Sequence, residues 1–135
     1  SHQGGTCPLS EIRANTISAA NGTDPITLTG QSAAKAWVDL DGTGTAAVQD
    51  SNNISSISDN GTGNYTSNFT NSFSSNAFAY AAGGNQNRTT ADTSWGWFVG
   101  DKGRASSYFR SQCFNDGYNV YDLAVVNVII HGDLA

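Results

Sequence analysis

The chain has 135 residues, a net charge of −5 and a pI near 4.5, and only 13% of its residues are charged, about half the usual globular share. That balance argues against phosphate backbones and anionic membrane surfaces as partners, and no apolar run approaches the roughly 18 residues that a spanning helix needs. Ser, Thr, Asn and 15 glycines take the place of the missing charges, so strand and turn formers outweigh helix formers.

Residues 1–20 read as a linker or connector to a longer protein: Gly4-Gly5 and Pro8 open it, and the apolar positions of "LSEIRANTIS" are too sparse for an amphipathic helix. The lack of any methionine also points to a piece of something longer. "NGTDP" at 21–25 is dense turn chemistry, and a single β domain is expected from residue 21 to residue 135. "AKAWVDL" alternates, placing Ala36, Val38 and Leu40 on one face and Trp37 and Asp39 on the other. "DGTG" reads as a hairpin loop and "TAAVQD" as the returning strand. "ISSIS", the turn "DNGTGN" and "YTSNFT" repeat the unit, with Tyr65, Ser67 and Phe69 sharing a face. "NAFAYAAGG" alternates Phe78 and Tyr80 against alanines, and residues 83–94 read as a long polar loop. "WGWFVG" and "SSYFRSQCF" are aromatic strands, with "DKGR" expected as the turn between them. "NDGYN" is another turn, and the nearly continuous Val/Ile run from Val125 to Ile130 is a final strand expected to be covered on both faces. Turn signals every 8–12 residues or so, with no helical apolar face, predict an all-β fold, a small antiparallel, jelly-roll-like β-sandwich.

One stretch imitates a calcium loop. Asp39, Asp41, Thr43, Gly44 and Asp50 fall at positions 1, 3, 5, 6 and 12 of an EF-hand-type window. Such a loop needs a helix on each side, and here the flanks alternate as strands, so the acids are assigned to a hairpin turn and no metal or other cofactor is expected. Cys7 and Cys113 are read as free thiols, since no CxxC or histidine pattern accompanies them. The six Asn-x-Ser/Thr triplets are attributed to the Asn/Ser/Thr-rich composition.

The stretch "QSAAKAWVDLDGTGTAAVQDSNNISSISDNGTGNYTSNFT" resembles the C-terminal domains of bacteriophage and prophage tail-fibre proteins. A Lys-Ala-Trp-Val strand, a Gly-Thr-Gly-Thr turn and the Ser-Ser-Ile-Ser-Asp-Asn-Gly-Thr-Gly segment occur in that order; upstream "LSEIRANTI" and terminal "VVNVIIHGDLA" fit the same pattern. The resemblance implies a β-sandwich at the tip of a homotrimeric virion fibre, joined to the remainder of the fibre. Its implied role is attachment to the host bacterial surface, through a surface polysaccharide or another receptor, without catalysis.

Sugar recognition pairs an aromatic face with nearby hydrogen-bonding groups. The segment 85–118 offers both, and Trp95, Trp97, Tyr108, Asn85, Asn87, Arg88, Asp101 and Arg104 are the candidate ligand contacts. Tyr118, Asn115 and Asp116 extend the same pool. The competing structural reading puts Trp95 and Trp97 in a core or a subunit contact. Trp37 on the polar face of its strand, with Val126, Val128 and Ile130, is expected to meet neighbouring subunits of a trimer. Two other functions compete: a purely structural trimerisation cap, and a glycan depolymerase working through carboxylates such as Asp101 and Asp116. No motif ties two carboxylates together, so no catalytic residue is assigned.

Overall fold

Alternation along "AWVDLD" becomes alternation in burial: Ala36, Val38 and Leu40 are buried while Trp37, Asp39 and Asp41 are half-exposed. The computed structural model describes residues 14–22, 33–90 and 96–135. Ser1–Gln31 and Ser32–Ala135 are separate compact units. Of the first, residues 14–22 run without regular structure to a turn closed by Gly22 N–H on the Ala19 carbonyl (2.8 Å).

The described residues of the second unit form eight strands: β1 (Ala36–Asp41), β2 (Ala47–Asn52), β3 (Ile54–Asp59), β4 (Asn64–Phe69), β5 (Ala79–Asn85), β6 (Trp97–Ala105), β7 (Tyr108–Asn115) and β8 (Val125–His131). They form two four-stranded antiparallel sheets, ordered β2-β1-β8-β5 and β3-β4-β7-β6, and no helix occurs among the described residues. The fold is the expected all-β sandwich. Long-range pairs join β1 to β8, β5 to β8 and β4 to β7, so closure depends on contacts far apart in the chain.

The inner faces meet in one core of Val38, Leu40, Tyr65, Phe109, Leu123, Val126, Val128 and Ile130, among others. Phe69, Phe73 and Phe78 fill one end with ring centroids 4.9–5.9 Å apart, an edge-on to tilted arrangement favoured by ring quadrupoles. Gly84 marks a close approach: a Cβ there would lie 2.8 Å from Leu123 Cδ1 and 2.9 Å from Val99 Cγ2.

Three expectations need correction. Val126, Val128 and Ile130, expected at a subunit contact, are 1–2% exposed within their own chain's core. Strand β8 is central in its sheet and has one inner face; Asn127 and Ile129, the latter 45% exposed, lie on the other. The polar loop expected from residue 83 starts later, because Gly83, Gly84 and Asn85 still pair with Asn127, Val126 and Val125. "DKGR" is not a turn. β6 runs through it with a bulge between Asp101 and Gly103, and the chain reverses at Ser106–Ser107. Asp101 Oδ1 accepts the Gly103 N–H at 2.7 Å, a local bond common to Asx turns and to bulges, so the residues alone do not separate the two.

Candidate functional site

The calcium-like window is a β1–β2 hairpin. Asp41 Oδ1 accepts from both the backbone N–H (2.9 Å) and the hydroxyl (2.6 Å) of Thr43, and these bonds lower the pKa of the Asp41 carboxyl. Asp39 forms a two-pronged ion pair with Arg88, at 2.7 and 3.0 Å. Among the described residues no three His, Cys, Asp or Glu side chains gather into a metal site.

The eight sequence-derived ligand contacts do not converge. Trp95 lies outside the described residues. Trp97 packs against the core, its ring edge-on to Tyr121 at 5.3 Å, and its Nε1 is buried without a hydrogen bond among the described residues. It is a structural residue and not an exposed platform. Arg88 follows β5 and reaches back to the first sheet at Asp39, and it also donates to the Ala124 carbonyl at 2.8 Å. Asn85 Oδ1 accepts the Asn87 N–H at 2.9 Å, a local turn bond. Asp101 and Arg104 form an ion pair at the β5–β6 edge, and Arg104 lies over the Phe78 and Tyr80 rings and donates to the Phe78 carbonyl. Arg104 thereby fastens the second sheet to the first, and Asp101 holds its guanidinium in place from within β6. Tyr108 remains on the outer face of the second sheet, opposite Asn68.

That outer face holds an aromatic row of which sequence reasoning included only Tyr118 and left out Phe98 and Phe114. Phe98 on β6 and Phe114 on β7 are directly opposite in register. Their rings are near-parallel, with centroids 5.6 Å apart and planes 19° apart, and Tyr118 continues the row at 6.2 Å and 18°. Phe98 is 48% exposed and Tyr118 85%. With Asn115 and Asp116 they line a cleft of about 300 Å³. The available signal was alternation: if Trp97 faces the core, Phe98 faces out.

Tyr118 is held in place by the β7–β8 connection. Asn115, 3% exposed, accepts the Gly117 and Asn119 N–H groups on its side-chain oxygen, both at 3.0 Å, while its carbonyl takes the Tyr118 N–H at 2.9 Å. These bonds impose a left-handed backbone on Tyr118 (φ 61°), a conformation that costs a residue with a Cβ on the order of 1 kcal/mol. The result is a large aromatic ring displayed to solvent at the end of a stacked row.

A second apolar surface lies on the outer face of the first sheet. Trp37 and Ile129 are directly opposite across β1 and β8, Ala81 follows on β5, and Trp37, Asp39, Asn127 and Ile129 border a groove of about 410 Å³. Of the four residues expected at a subunit contact, Trp37 alone is on this face.

Cys113 is a buried free thiol, and burial, reinforced by the negative Asp122, pushes its pKa up to about 12. It is unreactive at neutral pH; Cys7 lies outside the described residues. No family model, curated protein or solved structure matches the chain.

Proposed function

We propose that this is a non-enzymatic attachment domain from the distal part of a virion fibre, and that it grips a glycan on the bacterial surface with the Phe98, Phe114 and Tyr118 rings. The observation that carries the reading is this exposed, near-parallel aromatic row, ending in a residue whose backbone is held in a costly conformation. Aromatic surface suits the apolar face of a sugar ring, and the neighbouring Asp116 carboxylate suits its hydroxyls. The resemblance of residues 31–70 to tail-fibre C-terminal domains supports the same role.

Assembly as a homotrimer belongs to this reading, with the Trp37–Ile129 groove as the contact between subunits. Three copies of the aromatic row would bind a repetitive polysaccharide with avidity.

The test is retention of the labelled domain on a panel of bacterial cells, with its mass measured by light scattering. The wild-type domain is expected to be held by a subset of strains and to have three times the 14.1 kDa chain mass. Phe98→Ala with Phe114→Ala should weaken retention by at least tenfold, or about 1.4 kcal/mol, without lowering the melting temperature. Trp97→Ala should instead lower the melting temperature, since that ring packs against the core. A domain whose retention survives loss of both phenylalanines does not use the aromatic row. A monomeric mass removes the trimer but leaves the glycan site standing.

A further inference from the structure

We propose that the glycan is anionic, with carboxylate or phosphate groups along its sugar backbone, and that Arg110 and Lys102 read those groups beside the aromatic row. The proposal rests on the glycan-binding reading and adds the chemical class.

Along β7, Tyr108, Arg110, Gln112 and Phe114 all emerge on the outer face, alternating with four buried residues. At about 3.3 Å per residue, Arg110 stands roughly 13 Å along the strand from Phe114, which leaves room for more than one sugar unit between them. The chain is acidic overall, at −5, yet this face is not. The residues opposite Arg110 are Thr66 and Gly103, and those opposite Gln112 are Asn64 and Gly100. Asp59 pairs with Tyr65, which places it on the other side of the sheet, and its Oδ1 is taken by the Gly61 N–H at 2.9 Å. Asp116 flanks the far end of the aromatic row.

The cations differ correspondingly. Arg88 and Arg104 are neutralised by Asp39 and Asp101. Arg110 instead donates its Nε to the amide oxygen of Asn64 at 2.8 Å, and Lys102 donates to the Gln112 amide oxygen at 2.6 Å. Both partners are uncharged. Each contact orients a cation without cancelling it, and the two Nη groups of Arg110 make no hydrogen bond among the described residues. A guanidinium held at one nitrogen and open at two presents the fork that matches a carboxylate or phosphate. Fixing its direction beforehand lowers the ordering cost on binding.

The test is an array of immobilised polyuronate oligomers, poly(glycerol phosphate) glycans, neutral glucans and mannans, and a single-stranded DNA oligonucleotide. The wild type, Arg110→Gln, Arg110→Lys, Lys102→Gln and Phe114→Ala are each applied at low and high NaCl. Expected are binding concentrated on an anionic arm, weakening with salt, a tenfold or greater loss in Arg110→Gln and only partial recovery in Arg110→Lys, which restores the charge but not the fork. The arm that responds identifies the anion. Equal binding to neutral glycans, or anionic binding untouched by Arg110→Gln and Lys102→Gln, overturns the proposal; if Phe114→Ala still abolishes that binding, the aromatic reading survives. Preferential capture of DNA overturns the proposal too. Silence on every glycan overturns both readings. Should Arg110→Gln fail to fold, Lys102→Gln decides.

Discussion

Replacing Gly63 by alanine is expected to lower the melting temperature by roughly 15–25 °C, from a loss of about 3–4 kcal/mol. Gly63 lies just before β4 with φ at +63°, and a Cβ there would come within 2.6 Å of the Tyr121 carbonyl oxygen and 2.7 Å of that of Cys113. Both obstacles are backbone, so relief means moving a strand or a loop. The same residue donates its N–H to Asp122 Oδ1 at 2.7 Å and accepts the Cys113 N–H at 2.7 Å, bonds worth on the order of 1 kcal/mol each. The left-handed backbone adds about 1 kcal/mol more once a Cβ is present. Gly44 supplies the control: its φ is +62° but nothing lies within 4 Å of a Cβ, so Gly44→Ala should cost about 1 kcal/mol. Urea unfolding of the two variants separates backbone strain from collision. Equal losses would mean that the Tyr121 segment yields freely. That segment carries Tyr118, so Gly63→Ala should also weaken cell retention at temperatures where the domain remains folded.

Period-two patterns made most of the fold readable. Ala36, Val38 and Leu40 are core because alternation is a property of three neighbouring residues, and Tyr65, Ser67 and Phe69 follow the same logic. The bulge at Asp101–Gly103 was not readable, because the Asp-to-Gly bond that stabilises it is indistinguishable in sequence from a turn. Ile129 made the last strand look apolar on both sides; its partners Trp37 and Ala81 on that face become visible only with the pairing of β1, β8 and β5. The site itself is a register phenomenon. Phe98 and Phe114 meet across two strands, and Arg88 finds Asp39 from 49 residues away. Neither pairing leaves a local trace. The tryptophans are the largest aromatic faces in the sequence, yet Trp97 points inward and its neighbour Phe98 outward.

Beneath the Tyr118 loop, Tyr65, Cys113 and Asp122 make the fold sensitive to alkali. Tyr65 is fully buried; its hydroxyl lies 2.6 Å from Asp122 Oδ1 and 2.9 Å from the Gly42 carbonyl, and burial followed by the Asp122 bond raises its pKa. Burial likewise raises the Cys113 thiol from 9.0 to about 12. In the unfolded chain both groups lose their protons at their ordinary values, so above pH 9 the unfolded state binds fewer protons than the folded one. Stability is therefore complete below pH 9 and falls as pH rises toward 12. The thiol alone accounts for about 4 kcal/mol across that interval, at roughly 1.4 kcal/mol per pH unit. Melting temperatures of the wild type should begin to drop near pH 9, whereas those of Cys113→Ala should hold until Tyr65 begins to matter near pH 10. Cys113→Ala starts from a slightly lower stability because it leaves a small cavity, so the slope against pH is the quantity to compare, not the height. Identical slopes in the two proteins would show that the thiol is not what fails in alkali. A wild-type curve flat to pH 11 would remove both buried groups from the account and with them the tight closure of the loop that presents Tyr118.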